Sequence, residues 1–347
     1  MNKEVNDKFF KHVRSFLMVY LPKNRCYSPN TVKAYRDTIN LFRIFMQEQK
    51  KVPFTNITFE LITHTLVYEF MEWLQVERNC SISTRNQRLA AFKSFLHYCA
   101  NEDPCVAVIY MDVQEVTALR NVTKGISYMS QNALKSILAQ PDAQTQIGLR
   151  DRFLMILMYD TGGRIQEILD IKLNDIALNA DIPCIYLHGK GNKIRTVPLM
   201  DKTILHLKEY LKKFHPSDSS KSNNGCVFYT VIKGVKGAMS SDNVSVFLKK
   251  YANQARVTCP EVPDKVHAHL FRHSRAMHLY QAGIPLSYIK DFLGHVSATT
   301  TSIYASADTR MIRNALEKAA NSVTNLYQET AVWERDEEMI LKLCGLK

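Results

Sequence analysis

Arg164, Lys190, His269, Arg272, His295 and Tyr304 follow one another through the second half of this chain, each in a distinctive local sequence. Arg164 lies in Thr161-Gly-Gly-Arg-Ile-Gln-Glu-Ile-Leu169, and Lys190 in Gly189-Lys-Gly-Asn192. His269 and Arg272 share His269-Leu-Phe-Arg-His273, and Tyr304 comes nine positions after the histidine of Leu293-Gly-His295. Two guanidiniums, an ammonium, two imidazoles and a phenol, with no carboxylate cluster, suit the attack of a phenol on a phosphodiester. Arginine's planar, permanently charged fork can hold nonbridging phosphate oxygens bidentately. A lysine on a tight turn can protonate a leaving oxygen once neighbouring arginines lower its pKa. A phenol titrates at about 10, so its attack at neutral pH needs a base and a positive field.

Other chemistries fit less well. His269 and His273 have the i, i+4 spacing of a metal-binding face, but Leu-Phe-Arg between them lacks the metalloprotease glutamate and no third ligand is signalled. No metal and no cofactor are expected. The Gly-x4-Gly-Lys-Ser/Thr pattern of a nucleotide phosphate loop does not occur. Lys190 and Lys193 share one turn, where an idle surface lysine is the ordinary alternative.

The set of motifs, in this order, resembles the tyrosine recombinases, or phage integrase family, over roughly residues 25 to 310. The resemblance implies that Arg164 and Arg272 clamp the scissile phosphate and that Lys190 protonates the departing 5′ oxygen. It makes His269 the general acid/base that takes the Tyr304 proton, His295 a hydrogen-bond donor to the phosphate, and Tyr304 the nucleophile. Glu167 matches the family's acidic residue three after the arginine and would orient Arg164 or Lys190. Lys193 is the competing hairpin lysine, read as a DNA-backbone contact. His273 is read as structural support, and His267 and His278 as packing or surface residues. Two positions depart from the family pattern: Gly163, where a larger apolar residue is usual, and Gln166 in place of serine. The implied product is a 3′-phosphotyrosyl DNA with a free 5′ hydroxyl, formed without metal or ATP.

Composition supports such a partner. The 347 residues suit two domains, and a net charge of +12 points to a polyanion. The longest apolar run, Phe153 to Met158, falls far short of a membrane span, and the first residues carry no apolar signal region. The eight cysteines are scattered singly, as expected of reduced thiols in a cytoplasmic, DNA-associated protein.

Apolar periodicity predicts the elements that must carry these residues. Helices are expected over 6–21, from the Ser28-Pro29-Asn30 start to about Gln49, over 58–78 and over 83–98. Residues 102–125 lack a clean period, and the linker is placed at 109–127, after an N-terminal helical core-type DNA-binding domain over 1–108. The catalytic domain is expected over 128–322. Its helices fall at 145–160, 201–213, 241–255, 265–281, 285–292, 298–305 and 308–322, with a hairpin of Cys184–Leu187 and Ile194–Val197 around Lys190. The fold class is therefore mostly α with a small antiparallel sheet. By resemblance it is a four-helix, SAM-like core-binding domain and an α/β catalytic domain that close as a C-shaped clamp on DNA. Lys33, Arg36 and Arg43 on the second helix, and Arg85, Asn86 and Arg88 on the fourth, are candidate DNA contacts; solvated helix faces are the alternative.

A tail over 323–347 holds an amphipathic segment, 330–343, with Val332, Met339, Ile340 and Leu343 apolar. Its last twenty residues carry five acidic against three basic side chains, which favours a protein partner over DNA. Resemblance suggests that the tail docks in trans on a neighbouring protomer, within a dimer on one site and a synaptic tetramer on two. The expected activity is site-specific recombination of duplex DNA through a Holliday junction, for integration, excision or transposition of a mobile element. Two rivals are type IB topoisomerase-like relaxation and a noncatalytic DNA-binding regulator on the same scaffold.

Overall fold

The computed structural model describes residues 3–120, 126–189, 193–216, 225–294, 304 and 336–346. The chain divides into two compact units, Met1–Thr123 and Lys124–Lys347. No helix among the described residues is long and apolar enough to cross a membrane.

The first unit is helical. Helix α1 (Lys3–Ser15) runs into a π-helical stretch, Phe16–Asn24, that carries Pro22. Helix α2 (Pro29–Glu48) starts as its sequence predicts: the Ser28 hydroxyl accepts from the Thr31 amide, and Pro29 occupies the first turn. Two short 3₁₀ turns lead to α3 (His64–Val76), then α4 (Ile82–Glu102). Aromatic rings fill the centre. Phe9, Phe16, Phe42, Phe45, Phe70, Phe92 and Phe95 are all buried, and Phe42 and Phe92 lie 4.6 Å apart between centroids.

The stretch expected to be irregular contains a fifth helix, α5 (Pro104–Gln114). Asp103 closes α4 with its amide and opens α5 with its carboxylate, which accepts from the Cys105 amide. Asp103-Pro104 is thus the same start signal as Ser28-Pro29. Val106, Ile109, Tyr110 and Val113 pack on the first unit's core at helical spacing, masked in sequence by a run of β-branched residues. The Asp112 carboxylate also accepts from the His64 amide at 2.7 Å, tying α5 to the start of α3.

The second unit is built around α7 (Gln146–Thr161), whose Phe153, Leu154, Met155, Leu157 and Met158 are buried. Helix α6 (Gln131–Leu138) precedes it, its start capped by the Ser130 hydroxyl, which accepts from the Ala133 amide. A five-residue helix, α8 (Ile165–Leu169), follows. Strands β1 (Ile176–Ala177), β2 (Cys184–His188) and β3 (Ile194–Pro198) form an antiparallel sheet in chain order, with Leu187 opposite Arg195. After α9 (Asp201–Phe214) comes a second hairpin, β4 (Tyr229–Ile232) and β5 (Val235–Ala238), that the sequence reading did not predict. Its signal was a β-branched run broken by Lys233-Gly234, both at positive φ. Helices α10 (Ser241–Thr258), α11 (Ala268–Gln281) and α12 (Leu286–Leu293) complete the described body. The helices expected at 298–305 and 308–322 lie outside the described residues, Tyr304 excepted. A short terminal helix spans Glu337–Leu343.

Helix α7 ends at Gly162 in the left-handed region (φ 56°). A Cβ there would meet the Leu293 side chain at 2.8 Å. Both the conformation and the space demand glycine. Gly162→Ala should therefore cost about 1–3 kcal/mol, the range for a non-glycine residue forced into this region. Urea unfolding would read this as a lower midpoint; an unchanged midpoint would refute it.

Candidate phosphate-binding active site

Arg164 leads the turn between α7 and α8. Its own amide donates to Glu167 Oε2 at 3.0 Å and its Nη1 donates to Glu167 Oε1 at 2.6 Å. Glu167 is 5% exposed. Burial alone would raise its pKa, but the Arg164 amide, the Arg164 guanidinium and Arg195 outweigh that and hold the carboxyl below its ordinary range. The orienting role expected of Glu167 toward Arg164 thus has a direct contact behind it. Both departures in the motif have local reasons. At Gly163 the Ile168 side chain occupies the space a Cβ would need, so a larger residue does not fit this packing. Gln166 is exposed and bonds Asp170 at 2.7 Å, away from the cluster.

Arg272, on the second turn of α11, is 4% exposed. Its Nη1 donates to the Gly162 carbonyl and its Nη2 to the Leu293 carbonyl, each at 2.7 Å. These are the carbonyls where α7 and α12 end, and a guanidinium satisfies them well. Burial, then the charges of Arg164 and Arg195, push the Arg272 pKa down to about 10. It remains charged at neutral pH. His269 lies one helical turn before it, and its pKa is lowered by desolvation, then by Arg272, His267 and Arg164. At neutral pH its imidazole is a free base.

Tyr304 is fully buried, packed with Ala276, Met277, Ile289 and Leu293. Burial raises its pKa while Arg272 lowers it. The histidine that meets its hydroxyl is His273, whose Nδ1 lies 3.0 Å away. This adds to the reading of His273 as structural support: it touches the phenol itself. Burial, with His269, His267 and Arg272, pushes His273 down to about 4, so it is neutral and weakly basic. It can hold the phenol but is a poor acceptor of its proton.

The sequence reading passed over Arg195. Its Nη1 pairs with Glu167 Oε2 at 2.9 Å, opposite the Arg164 contact. The signal lay in the two-residue period of β3, which puts Arg195 on the inward face with buried Val197, across from buried Leu187. An arginine on an inward strand face needs a partner. Gly189 closes the hairpin base through its amide to the Lys193 carbonyl, and a Cβ on it would lie 3.5 Å from Glu167 Oε1. Lys190 and His295 lie outside the described residues, and Lys193 is exposed.

The candidate DNA contacts separate by exposure. Lys33 and Arg36 are exposed on α2, and Arg43 bonds Asn40 and Gln47 along the same helix. The other three are committed within the first unit. Arg85 is 5% exposed. Asn86 exchanges hydrogen bonds with the backbone of Leu119. Arg88 Nη1 donates to the Ala34 carbonyl and to Thr38 Oγ1. Packing of α4 turns Arg85 inward, while Asn86 and Arg88 stay half-buried with their polar groups engaged by the segment after α5 and by α2.

A family model described as "Phage integrase family" matches residues 127–311, and one described as "Phage integrase, N-terminal SAM-like domain" matches 11–104. A Sinorhizobium fredii protein named "Putative integrase/recombinase y4rC" is 30% identical over 89% of this chain and 90% of its own. Tyrosine recombinase XerC of Chlamydia caviae is 28% identical over 86% of this chain and 96% of its own. Two solved structures share the fold. XerH site-specific recombinase bound to a palindromic difH substrate has a TM-score of 0.64 at 23% identity, covering 91% of this chain and 90% of that one. The Tn1549 transposon integrase with transposon right-end DNA has a TM-score of 0.66 at 16% identity, covering 88% and 98%.

Exposure sorts the basic residues into two experimental classes. Lys33→Ala and Arg36→Ala should leave thermal stability unchanged, and each should reduce the slope of log affinity for duplex DNA against log salt by about 0.9. Arg85→Ala should instead lower the melting temperature, because it empties a buried position. A normal melting temperature with a reduced salt slope for Arg85→Ala would overturn this sorting.

Proposed function

The chain belongs to the phage integrase family of tyrosine recombinases, and we propose that it breaks and rejoins duplex DNA at specific sites to integrate, excise or transpose a mobile element. The observation that carries this reading is the single cluster formed by Arg164, Arg272, His269 and the Tyr304–His273 pair, drawn from three separate stretches of sequence. In the proposed reaction the Tyr304 oxygen attacks phosphorus, the 3′-phosphotyrosyl bond forms and the bond to the 5′ oxygen breaks. The phenolic proton passes to neutral His269, and the 5′ oxygen takes a proton from Lys190. Arg164 and Arg272 carry the charge that builds on the nonbridging oxygens, with His295 as a further donor. The broken bond's energy stays in the phosphotyrosine, so the reverse attack by a 5′ hydroxyl of a partner strand reseals DNA without ATP. Two rounds of exchange pass through a Holliday junction.

Buried Tyr304 is in a resting position: to reach a phosphate in line, its ring must leave the pocket behind His273. DNA binding and protomer assembly are the proposed triggers. Exposed Lys33, Arg36 and Lys193 are the basic side chains proposed to meet DNA first. A type IB topoisomerase would use a similar constellation. The recombinase reading is favoured by the SAM-like match over 11–104 and by relatives similar over most of their length. A noncatalytic regulator would have no need of the phenol, the two arginines and the histidines together.

One incubation separates the three. Supercoiled plasmid carrying two copies of the DNA that flanks the gene should give recombinant products and a covalent protein–DNA adduct. Tyr304→Phe should bind the same DNA yet form no adduct. Relaxation of a plasmid lacking those sequences would mean a topoisomerase, and binding without adduct in the natural chain would mean a regulator.

We also propose that the tail docks on a neighbouring protomer. Met339, Ile340 and Leu343 of the terminal helix are exposed, and its first turn is acidic. A helix this short is marginal alone and gains stability by burying such a stripe. Truncation after Gln328 should leave the melting temperature and single-site binding intact while abolishing cooperative pairing of sites in gel shifts. Unchanged cooperativity would refute docking in trans.

A further inference from the structure

Arg195, its side chain 15% exposed, sits beside Glu167 in this cluster and has no part in the chemistry proposed above. Its Nη1 is paired with Glu167 Oε2, while its Nε and Nη2 are buried without a hydrogen-bond partner among the described residues. Its pKa is lowered, chiefly by burial, and Glu167 opposes the shift. A guanidinium half-satisfied in this way is costly to keep, and a merely space-filling position on β3 would be better served by an aliphatic side chain.

Its neighbours indicate what it does. Glu167 has two oxygens and two guanidiniums, one to each. If Arg195 were absent, both oxygens would face Arg164, whose amide already reaches Oε2. The carboxylate would then hold the Arg164 fork bidentately and compete with a phosphate for it. Arg195 also joins three segments. It belongs to the strand after the Lys190 turn, Gly189 at the base of that turn sits against Glu167 Oε1, and a Cβ on Gly294 would meet Arg195 Nη1 at 3.2 Å. Gly294, at the end of α12, therefore rests on the same side chain.

We propose that Arg195 is a positioning residue for DNA cleavage: it occupies one oxygen of Glu167, so that Arg164 keeps its fork for phosphate and the paired strands β2 and β3 stay registered to the Arg164 turn. This rests on the recombinase reading. It goes beyond it by giving the strand arginine a task separate from phosphate binding.

The test is single-turnover adduct formation on DNA flanking the gene, with affinity and melting temperature measured in parallel. Arg195→Met should slow the adduct by about 10- to 100-fold, a fraction of the loss expected for a direct transition-state donor, at unchanged affinity. The double variant Arg195→Met/Glu167→Gln should recover much of that rate, because the uncompensated carboxylate is gone. A purely structural arginine would give losses that add. Arg195→Lys keeps the charge but not the fork, and should fold and cleave at a rate between the natural chain and Arg195→Met. That variant supplies the readout if Arg195→Met does not fold. Natural rates in Arg195→Lys and Arg195→Met, or no recovery in the double variant, would overturn the proposal. Absence of adduct in the natural chain would instead sink the recombinase reading.

Discussion

Three guanidiniums, those of Arg164, Arg195 and Arg272, lie within electrostatic reach of one another, and the buried carboxylate of Glu167 pairs with two of them. Burial, and then the charges of Arg164 and Arg195, bring Arg272 down to about 10. Without a counter-charge, the electrostatic cost of burying such a cluster would oppose folding. Glu167 offsets one of the three charges and leaves the group net positive. The backbone conforms to this arrangement. Gly189 and Gly294 come from different segments, and each leaves room for a member of the same carboxylate–guanidinium group.

Arg272 shows how the cluster is made rigid before any substrate arrives. Both terminal nitrogens bind main-chain carbonyls, one at the end of α7 and one at the end of α12. The same bonds satisfy groups that helix ends leave bare. A donor held in this way needs little reorganisation when charge develops nearby, which is the condition under which fixed dipoles and charges act most strongly on a reaction. The local fold of the second unit and the orientation of its charge are thus one set of contacts.

Much of this could be read in the residues. The Ser28-Pro29 start, the α7 helix, the hairpin around Lys190 and the motifs at Arg164 and His269–Arg272 each carry a local signal that does not depend on distant packing. What escaped did so for identifiable reasons. Helix α5 was hidden because its β-branched residues resemble neither a clear helix nor a strand, although Asp103-Pro104 announced it. Arg195 carries no motif of its own, and only the two-residue period of β3 taken together with the neighbouring motif reveals an arginine pointing inward. The burial of Arg85 is not legible because helical spacing says which residues share a side but not what covers that side. The partnership of His273 with Tyr304 joins residues 31 apart and needed the fold to be seen.

The pocket that covers Tyr304 has a consequence for the fidelity of the whole system. Taking an aromatic ring out of an apolar pocket costs about 2 kcal/mol, within the range for exposing a large side chain. At that cost about one molecule in thirty would have its phenol free in the absence of a cognate complex. With Tyr304 as the proposed nucleophile, encounters with the vast excess of ordinary DNA would then mostly involve a protein unable to nick it. Such a safeguard requires no inhibitor and no separate switch; it is a property of where one ring rests when the protein is idle.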